Sequence, residues 1–460
     1  MGTFKRSPRT PLPGATMAVI ALIAAACGGS ATGSPAVSAA GSASASVSAP
    51  SGSPSGSADT GYSGPPASLE YSIWGDPAEI KNQQAVVEAF TAANPTIKVN
   101  VTVSDWEPYW DKLQTGLAGG AAPDVFAMDG PLGPDYQTRD VLLDLTPYIQ
   151  GESYDLGQLD ANAVKDFTTA DGAQFGLPRD LNVIALYYNK TMFDAASIAY
   201  PDGTWDWAKL VEVAKQLTKD TNGDGTPDQW GVYTETTDME NAWSSFVWQA
   251  GGDILSEDGT TTALDRPESA AGIQYLQDLI WKEKVVPDPA IFAETGDAFE
   301  QGIAAMEING SWLVPTHEAA GINLGIAPLP AGPAGKATSV NPTGAVVYAN
   351  TDAPEAAWLL TKYLASPEAQ EKIMALKASV PVNKEILATS YPASFDGAQV
   401  FADSLAFAHL KPAFAGYNEF STLLQTELDE NVFNAPNKTA ADAIATVNEQ
   451  LNGILAAGTP

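Results

Sequence analysis

Six residues stand where strand-like runs of this chain end or begin, and their types are those that hold small polar molecules. Trp74 and Asp76 close the alternating run Leu69 to Ile73, Asp129 closes the apolar run Val125 to Met128, and Arg179, Asp180 and Asn182 open a long run ending at Tyr188. In open α/β sheets ligands bind beyond the carboxyl ends of strands, and they favour domain interfaces, so acceptors and a flat ring at these places make a candidate site. Asp129 also has a plainer reading, because an Asp before a Gly is a common turn former. Carboxylates in pairs serve general acid–base chemistry, yet 55 Asp and Glu against 23 Lys and Arg make acidic residues so abundant that no pair stands out.

A second constellation is Asp220-Thr221-Asn222-Gly223-Asp224-Gly225-Thr226-Pro227-Asp228, with side-chain oxygens at loop positions 1, 3, 5 and 9, a glycine at 6 and the Thr226 carbonyl at 7. This is the calcium-loop spacing. Position 12 is Gly231, not Glu, so a closing carboxylate has to come from elsewhere; the alternative is a loop of Asx turns. Either way it reads as a structural staple. The only histidines, His317 and His409, are expected at the surface or at helix ends, and two histidines do not supply a usual zinc centre without acidic help. No nucleophile elbow with a histidine partner is present.

The net charge of −32 argues against nucleic acid as a partner, and neither a basic cluster nor a Walker loop offers a phosphate site. At the start, Lys5, Arg6 and Arg9 precede the apolar stretch Met17 to Ala26, which is a secretory signal over 1–26 and too short to span a membrane. Cys27, the only cysteine, follows directly and resembles the acylated cysteine of a lipobox, although Ala24 stands where Leu is usual. Residues 27–67 then give a lipidated cysteine and a Ser/Ala/Gly/Pro linker that buries too little surface to offset its chain entropy.

These residues need a scaffold, and the hydrophobic pattern supplies one. Leu69 to Trp74, a helix stopped at Asn94-Pro95, and Ile97 to Val103 make a βαβ unit. Leu181 to Tyr188 reads as a strand buried on both faces, entered through Pro178 and suited to cross from one domain to another. Further on, Thr204 is placed to cap a helix whose buried stripe is Leu210, Val213, Ala214 and Leu217, and a last helix runs around Ile444, Val447, Leu451 and Ile454, capped by Thr439 and Asp442.

Phe175-Gly-Leu-Pro-Arg-Asp180, Tyr187-Tyr-Asn-Lys-Thr-Met-Phe193, Ala122-Pro-Asp-Val125, Asn241 to Asp253 and above all Phe299-x-x-Gly-x-x-x-Met306-x-x-x-Gly310-x-Trp312 carry a resemblance that covers the chain from about Leu69 onward. The chain resembles the maltose-binding-protein-like (family 1) extracellular solute-binding lipoproteins of bacterial ABC sugar importers. The resemblance implies an α/β, periplasmic-binding-protein-like fold, two α/β lobes joined by crossover strands with a ligand cleft between them. The first lobe is expected over 68–183 plus 346–390 and the second over 184–345 plus 391–460. It implies Trp312 as a platform for a sugar ring, Trp74 and Trp243 as further walls, Asp76, Asp129, Asp180 and Asn182 as hydroxyl acceptors, and Asn241 and Tyr417 beside them, with Trp205, Trp207 and Trp248 left to packing.

The function implied is capture of a carbohydrate, an oligosaccharide by preference, and delivery to an ABC importer, without catalysis. Expected partners are the sugar, the permease subunits and the membrane through a lipid anchor only, with a monomeric chain on the extracellular face of the cell membrane. No cofactor is required, and structural Ca2+ is the one ion for which the chain offers a pattern. Two other readings use the same cleft: a secreted glycoside hydrolase, with two carboxyls about 5–10 Å apart, and a carbohydrate sensor or adhesin.

Overall fold

The computed structural model describes residues 62, 64–75, 77–236, 239, 243–289 and 296–458. The signal segment, Cys27, nearly all of the linker, Asp76 and Asn241 lie outside the described residues.

The β-branched, aliphatic and aromatic run identified above forms the longest described strand, Gly176–Asn189, buried at every position but Asn182. Counting along the chain, the strands are β1 (Ala67–Trp74), β2 (Ile97–Ser104), β3 (Val125–Asp129), β4 (Gly176–Asn189), β5 (Tyr233–Thr234), β6 (Met306–Gly310), β7 (Leu324–Ala327), β8 (Thr338–Val347), β9 (Val380–Pro381) and β10 (Ala408–Leu410). They lie in the order β2-β1-β3-β8-β4-β6-β5, with β10 on β8 and both β7 and β9 on β4. β1 pairs in parallel with β2 and β3, and the helix Pro77–Ala93 connects β1 to β2, as the sequence pattern requires.

β4 carries the architecture because it serves two sets of partners. Gly176 to Val183 pair antiparallel with β8, whereas Ile184 to Tyr188 pair with β6 and Leu186 to Asn189 with β7. β8 in turn reaches from β10 at its start to β3 at its end. A register shift between Pro178 and Asp180 marks Arg179 as a bulge, the usual way to re-aim a side chain beside a site. Residues 59–460 form one compact unit by contact, so the boundaries drawn between lobes remain a reading of the sequence.

Three apolar clusters fill the body. One gathers the helices Trp207–Leu217, Pro267–Gln277, Tyr417–Leu428 and Ala440–Gly458 behind β6 and the second half of β4. Another joins β1, the first half of β4 and the helix Pro354–Leu364, and the third packs Tyr109, Leu113 and Phe126 against Phe167 and Phe175. The tryptophans assigned to packing do pack: Trp207 stacks on Tyr275 at 3.9 Å, and Trp248 lies on His409 at 4.8 Å.

Two expectations are corrected. The helix after Trp205 begins at Trp207, so Asp206 is its cap and accepts from the Lys209 N–H at 2.8 Å, while Thr204 is held in the preceding turn by Asp202. Of the two places expected for His317 it takes the helix end and not the surface: it lies in the last turn of the short helix Val314–Ala319, fully buried, its Nε2 3.0 Å from a Glu307 carboxylate oxygen. Burial lowers the His317 pKa to about 4 and pushes Glu307 well above the usual carboxylate range, with Asp297 adding to the latter. The last helix behaves as expected: Asp442 N donates to Thr439 Oγ1, and that hydroxyl donates to the Asp442 carboxylate.

Candidate functional site

Val125 to Met128 bury β3 completely, and the strand delivers Asp129 at its end to the side of β8, opposite Thr343. Asp129 is itself only 3 % exposed. Its Oδ1 accepts from Asn341 Nδ2, and its Oδ2 lies 3.7 Å from Lys411 Nζ, which arrives on the segment following β10. Asp166, at the end of the helix Ala161–Asp166, completes the group. The backbone of Gly130 makes room for it, since a Cβ there would lie 2.8 Å from Asp166 Oδ2 and 3.1 Å from the Pro342 carbonyl. Burial, then the neighbouring Asp129 charge, raises the Asp166 carboxyl to about 7 against the pull of Lys165 and Lys411.

On the crossover, Asn182 is half-buried and donates from Nδ2 to Thr343 Oγ1 at 3.2 Å, directly across the ladder from Asn341. Asp180 is more committed. Its Oδ2 accepts from Arg179 Nε at 2.8 Å, and Arg179 reaches on to the Tyr71 hydroxyl at 3.3 Å. The pair is nearly sealed from solvent, which makes Asp180 first an internal partner of Arg179.

Aromatic rings stand at the ends of β1 and β6. Trp74 is half-buried and meets Trp106, Tyr109 and Trp110 at ring distances of 5.0, 5.2 and 5.5 Å. Trp106 is 42 % exposed, and the indole N–H of Trp110 is buried with no hydrogen-bond partner among the described residues. The sequence reading missed these rings although the spacing of Trp106, Tyr109 and Trp110 sets them on one helical face. Trp312 is half-buried beyond β6, and its ring folds back over Gly310 so closely that a Cβ there would sit 1.8 Å from a ring carbon. That contact explains the glycine two positions before the tryptophan.

Trp243, expected as a wall, and Tyr417, expected beside it, both lie in the core. Trp243 is 1 % exposed and belongs to the core, its Nε1 donating to Gln425 Oε1 at 3.2 Å. Tyr417 begins the Tyr417–Leu428 helix, buried, with its hydroxyl 3.9 Å from Met239 Sδ. Both rings are held by the helices behind the site. Asp76 and Asn241 lie outside the described residues.

In the loop at 220–228 the acidic side chains serve the loop's own backbone. Asp220 accepts from the N–H groups of Gly223, Asp224 and Gly225, Asn222 from that of Asp224, Asp224 from that of Thr226, and Asp228 from both the N–H and the hydroxyl of Thr221. Among the described residues no three acidic, His or Cys side chains converge on a point that would hold an ion. Gly231 is not a degraded ligand, because a Cβ there would lie 2.2 Å from the Ala214 carbonyl oxygen.

The family described as bacterial extracellular solute-binding protein matches residues 85–399. A maltotriose-binding protein of Pyrococcus abyssi is 26 % identical over 328 residues, 68 % of this chain and 67 % of its own. A binding protein of Brucella abortus is 26 % identical over 349 residues, covering 74 % of this chain and 82 % of that one. Among solved structures, an ABC substrate-binding protein of Listeria monocytogenes in complex with cycloalternan superposes with a TM-score of 0.78 at 28 % identity, covering 84 % of this chain and 98 % of that one.

Proposed function

From the membership of this chain in the bacterial extracellular solute-binding proteins, a family of binders and not of enzymes, we propose that it captures a carbohydrate and delivers it to an ABC importer. The observation that carries this reading is the Asp129, Asn341 and Lys411 group at the end of β3, together with half-buried tryptophans at the end of β1, Trp74, and just beyond β6, Trp312. A sugar ring has apolar C–H faces and a polar rim, so it needs flat rings beside acceptors and donors. Trp74, Asp129, Asp180, Asn182 and Trp312 are the residues assigned to this contact, with Asp180 acting through Arg179.

Membrane attachment through Cys27, the tether behind it, the permease as recipient and a monomeric chain outside the cell belong to the same proposal. Their support is the signal-like leader and the single cysteine, together with a solute-binding lipoprotein of a maltooligosaccharide ABC transporter among the relatives. Calcium at 220–228 rests on spacing alone.

Thermal-shift measurement against a panel of mono- and oligosaccharides tests the reading. A sugar at about 100 times its dissociation constant should add roughly 2.7 kcal/mol of stability. A panel that includes maltotriose and cyclic glucans and shifts nothing would overturn it.

A further inference from the structure

We infer that Tyr187, Glu307 and His317 are positioning residues for the Trp312 ring, a buried polar circuit that fixes the Gly310 backbone against which the ring folds. The inference rests on the carbohydrate reading above, in which Trp312 is a contact for the sugar.

Gly310 is held at both of its backbone polar groups. Its N–H donates to Asn309 Oδ1 at 2.8 Å, and its carbonyl accepts from the Tyr187 hydroxyl at 2.7 Å. One residue on, the Ser311 hydroxyl oxygen accepts from the Val183 N–H at 3.3 Å. The Trp312 ring lies against Gly310, so the direction of this backbone sets where the ring can lie.

Behind these bonds stands the carboxyl of Glu307. Asn309 Nδ2 donates to Glu307 Oε1 at 2.8 Å, which turns the other end of that amide, Oδ1, toward the Gly310 N–H. His317 Nε2 lies 3.0 Å from Glu307 Oε2, and neither atom has another hydrogen-bond partner among the described residues, so the two can hold one proton between them. The imidazole stands at 77° to the Tyr187 ring, 4.9 Å away, and Tyr187 is directly across the β4–β6 ladder from Glu307. Phe299 packs on the same imidazole at 4.9 Å. The circuit thus runs out along β6 from Glu307 to Trp312 and returns through the helix Val314–Ala319, which brings His317 back to Glu307.

Folding alone does not call for this arrangement. Tyr187, Glu307 and His317 are each 0 % exposed, and apolar side chains of similar volume often serve stability at least as well as a buried acid beside a base. What polar bonds supply and apolar packing does not is direction, because a hydrogen bond weakens steeply as its angle closes. A flat ring that meets one face of a sugar gains affinity when it is set before the ligand arrives.

The test uses the full-length chain labelled with 5-fluorotryptophan, its Trp312 line assigned from Trp312→Phe, together with calorimetric titration by maltotriose and the best sugar of the panel. In Tyr187→Phe, which removes only the hydroxyl, and in Glu307→Leu, the fluorine line of Trp312 should shift or split. Glu307→Gln keeps an acceptor for Asn309 and a donor for His317, so it should leave the line and the affinity where the parent has them. Tyr187→Phe should weaken sugar binding by about tenfold, and should add almost nothing to that loss once Trp312 is already Ala, because groups that act through one ring are not additive. Should Glu307→Leu fail to fold, Tyr187→Phe and Glu307→Gln decide. An unmoved Trp312 line in Tyr187→Phe, or a loss of affinity that persists in full on Trp312→Ala, would overturn the positioning role while leaving the carbohydrate reading intact. A parent that binds no sugar would bring down the carbohydrate reading, and the fluorine lines would then judge the positioning of the ring by themselves.

Discussion

At the scale of single residues the two tryptophans Trp312 and Trp243 separate platform from core. Trp312→Ala should weaken sugar binding by about 2–4 kcal/mol, thirtyfold to nearly a thousandfold, with a modest fall in denaturant midpoint. Trp243→Ala should instead cost about 3–5 kcal/mol of fold stability, because its ring is sealed in the core. Midpoint and affinity measured on each variant distinguish the two, and a large midpoint loss with unchanged affinity for Trp312→Ala would sink its assignment. His317 gives a pH test. Its folded pKa of about 4 lies below the ordinary 6.5, so it contributes stability that is full above 6.5 and is lost as pH falls toward 4, on the order of 3 kcal/mol. Glu307 works the other way: its raised pKa gives stability present below the usual carboxylate range and lost at higher pH. His317→Gln should therefore flatten the loss of stability between pH 6.5 and 4, read from urea midpoints; a variant that follows the parent's curve would remove His317 as its source. Asp129 was legible because it closes a strand-like run, and Trp312 through the Phe299 to Trp312 motif. Asp166 and Lys411 were not, since the contact between residues 129 and 411 exists only after β8 and β10 have paired. The burial of Trp243 was equally invisible, because it depends on Gln425 in a distant helix.

At the scale of elements, period and punctuation carried most of the reading. The alternation of β1, the proline stop at 94–95 and the unbroken run of β4 are local properties, and the strands form where they predict. Caps depend on the exact first turn, which propensity locates only to within a residue or two. The chain chose Asp206 over Thr204. Asp206→Ala should consequently cost about 0.5–2 kcal/mol of stability, whereas loss of the Thr204 hydroxyl disturbs only the turn; equal midpoint shifts for both would contradict the assigned cap. The loop at 220–228 shows the limit of spacing, because the same carboxylates that would ligate an ion also satisfy backbone N–H groups. If calcium binds, it must take these oxygens over; the proposal expects added calcium to raise the melting temperature and chelator to reverse it. Unchanged melting in both, with no metal by elemental analysis, would retire the site. Gly231→Glu is no remedy, as its Cβ would strike the Ala214 backbone and lower the midpoint.

At the scale of the whole molecule, contacts made far along the chain hold the site in its compact form. Leu132, just beyond β3, packs against two of the three apolar clusters, and Lys411 pairs with Asp129 nearby. A further tie is Asp135. Its carboxylate accepts from the backbone N–H of Gly416 at 2.5 Å and from that of Asn418 at 3.2 Å, at the start of the Tyr417–Leu428 helix. Unpaired N–H groups and the positive end of the helix dipole both favour an anion there. Hydrogen bonds to a charged group contribute roughly 1.5–3 kcal/mol each, so the loss of both, about 3–6 kcal/mol, should shift the balance between compact and open forms by about a hundredfold or more. If the sugar is held from both sides, only the compact form is competent to bind it, and apparent affinity falls in proportion to that form's population. Asp135→Ala should therefore enlarge the radius of gyration of the unliganded protein in solution scattering, weaken sugar binding by a similar factor, and restore the parent's radius at saturating sugar. Asp135 touches none of Asp129, Trp312 or Lys411 directly in the hydrogen bonds it makes, so a loss of affinity without any change in radius would show that it acts on the site itself and not on closure.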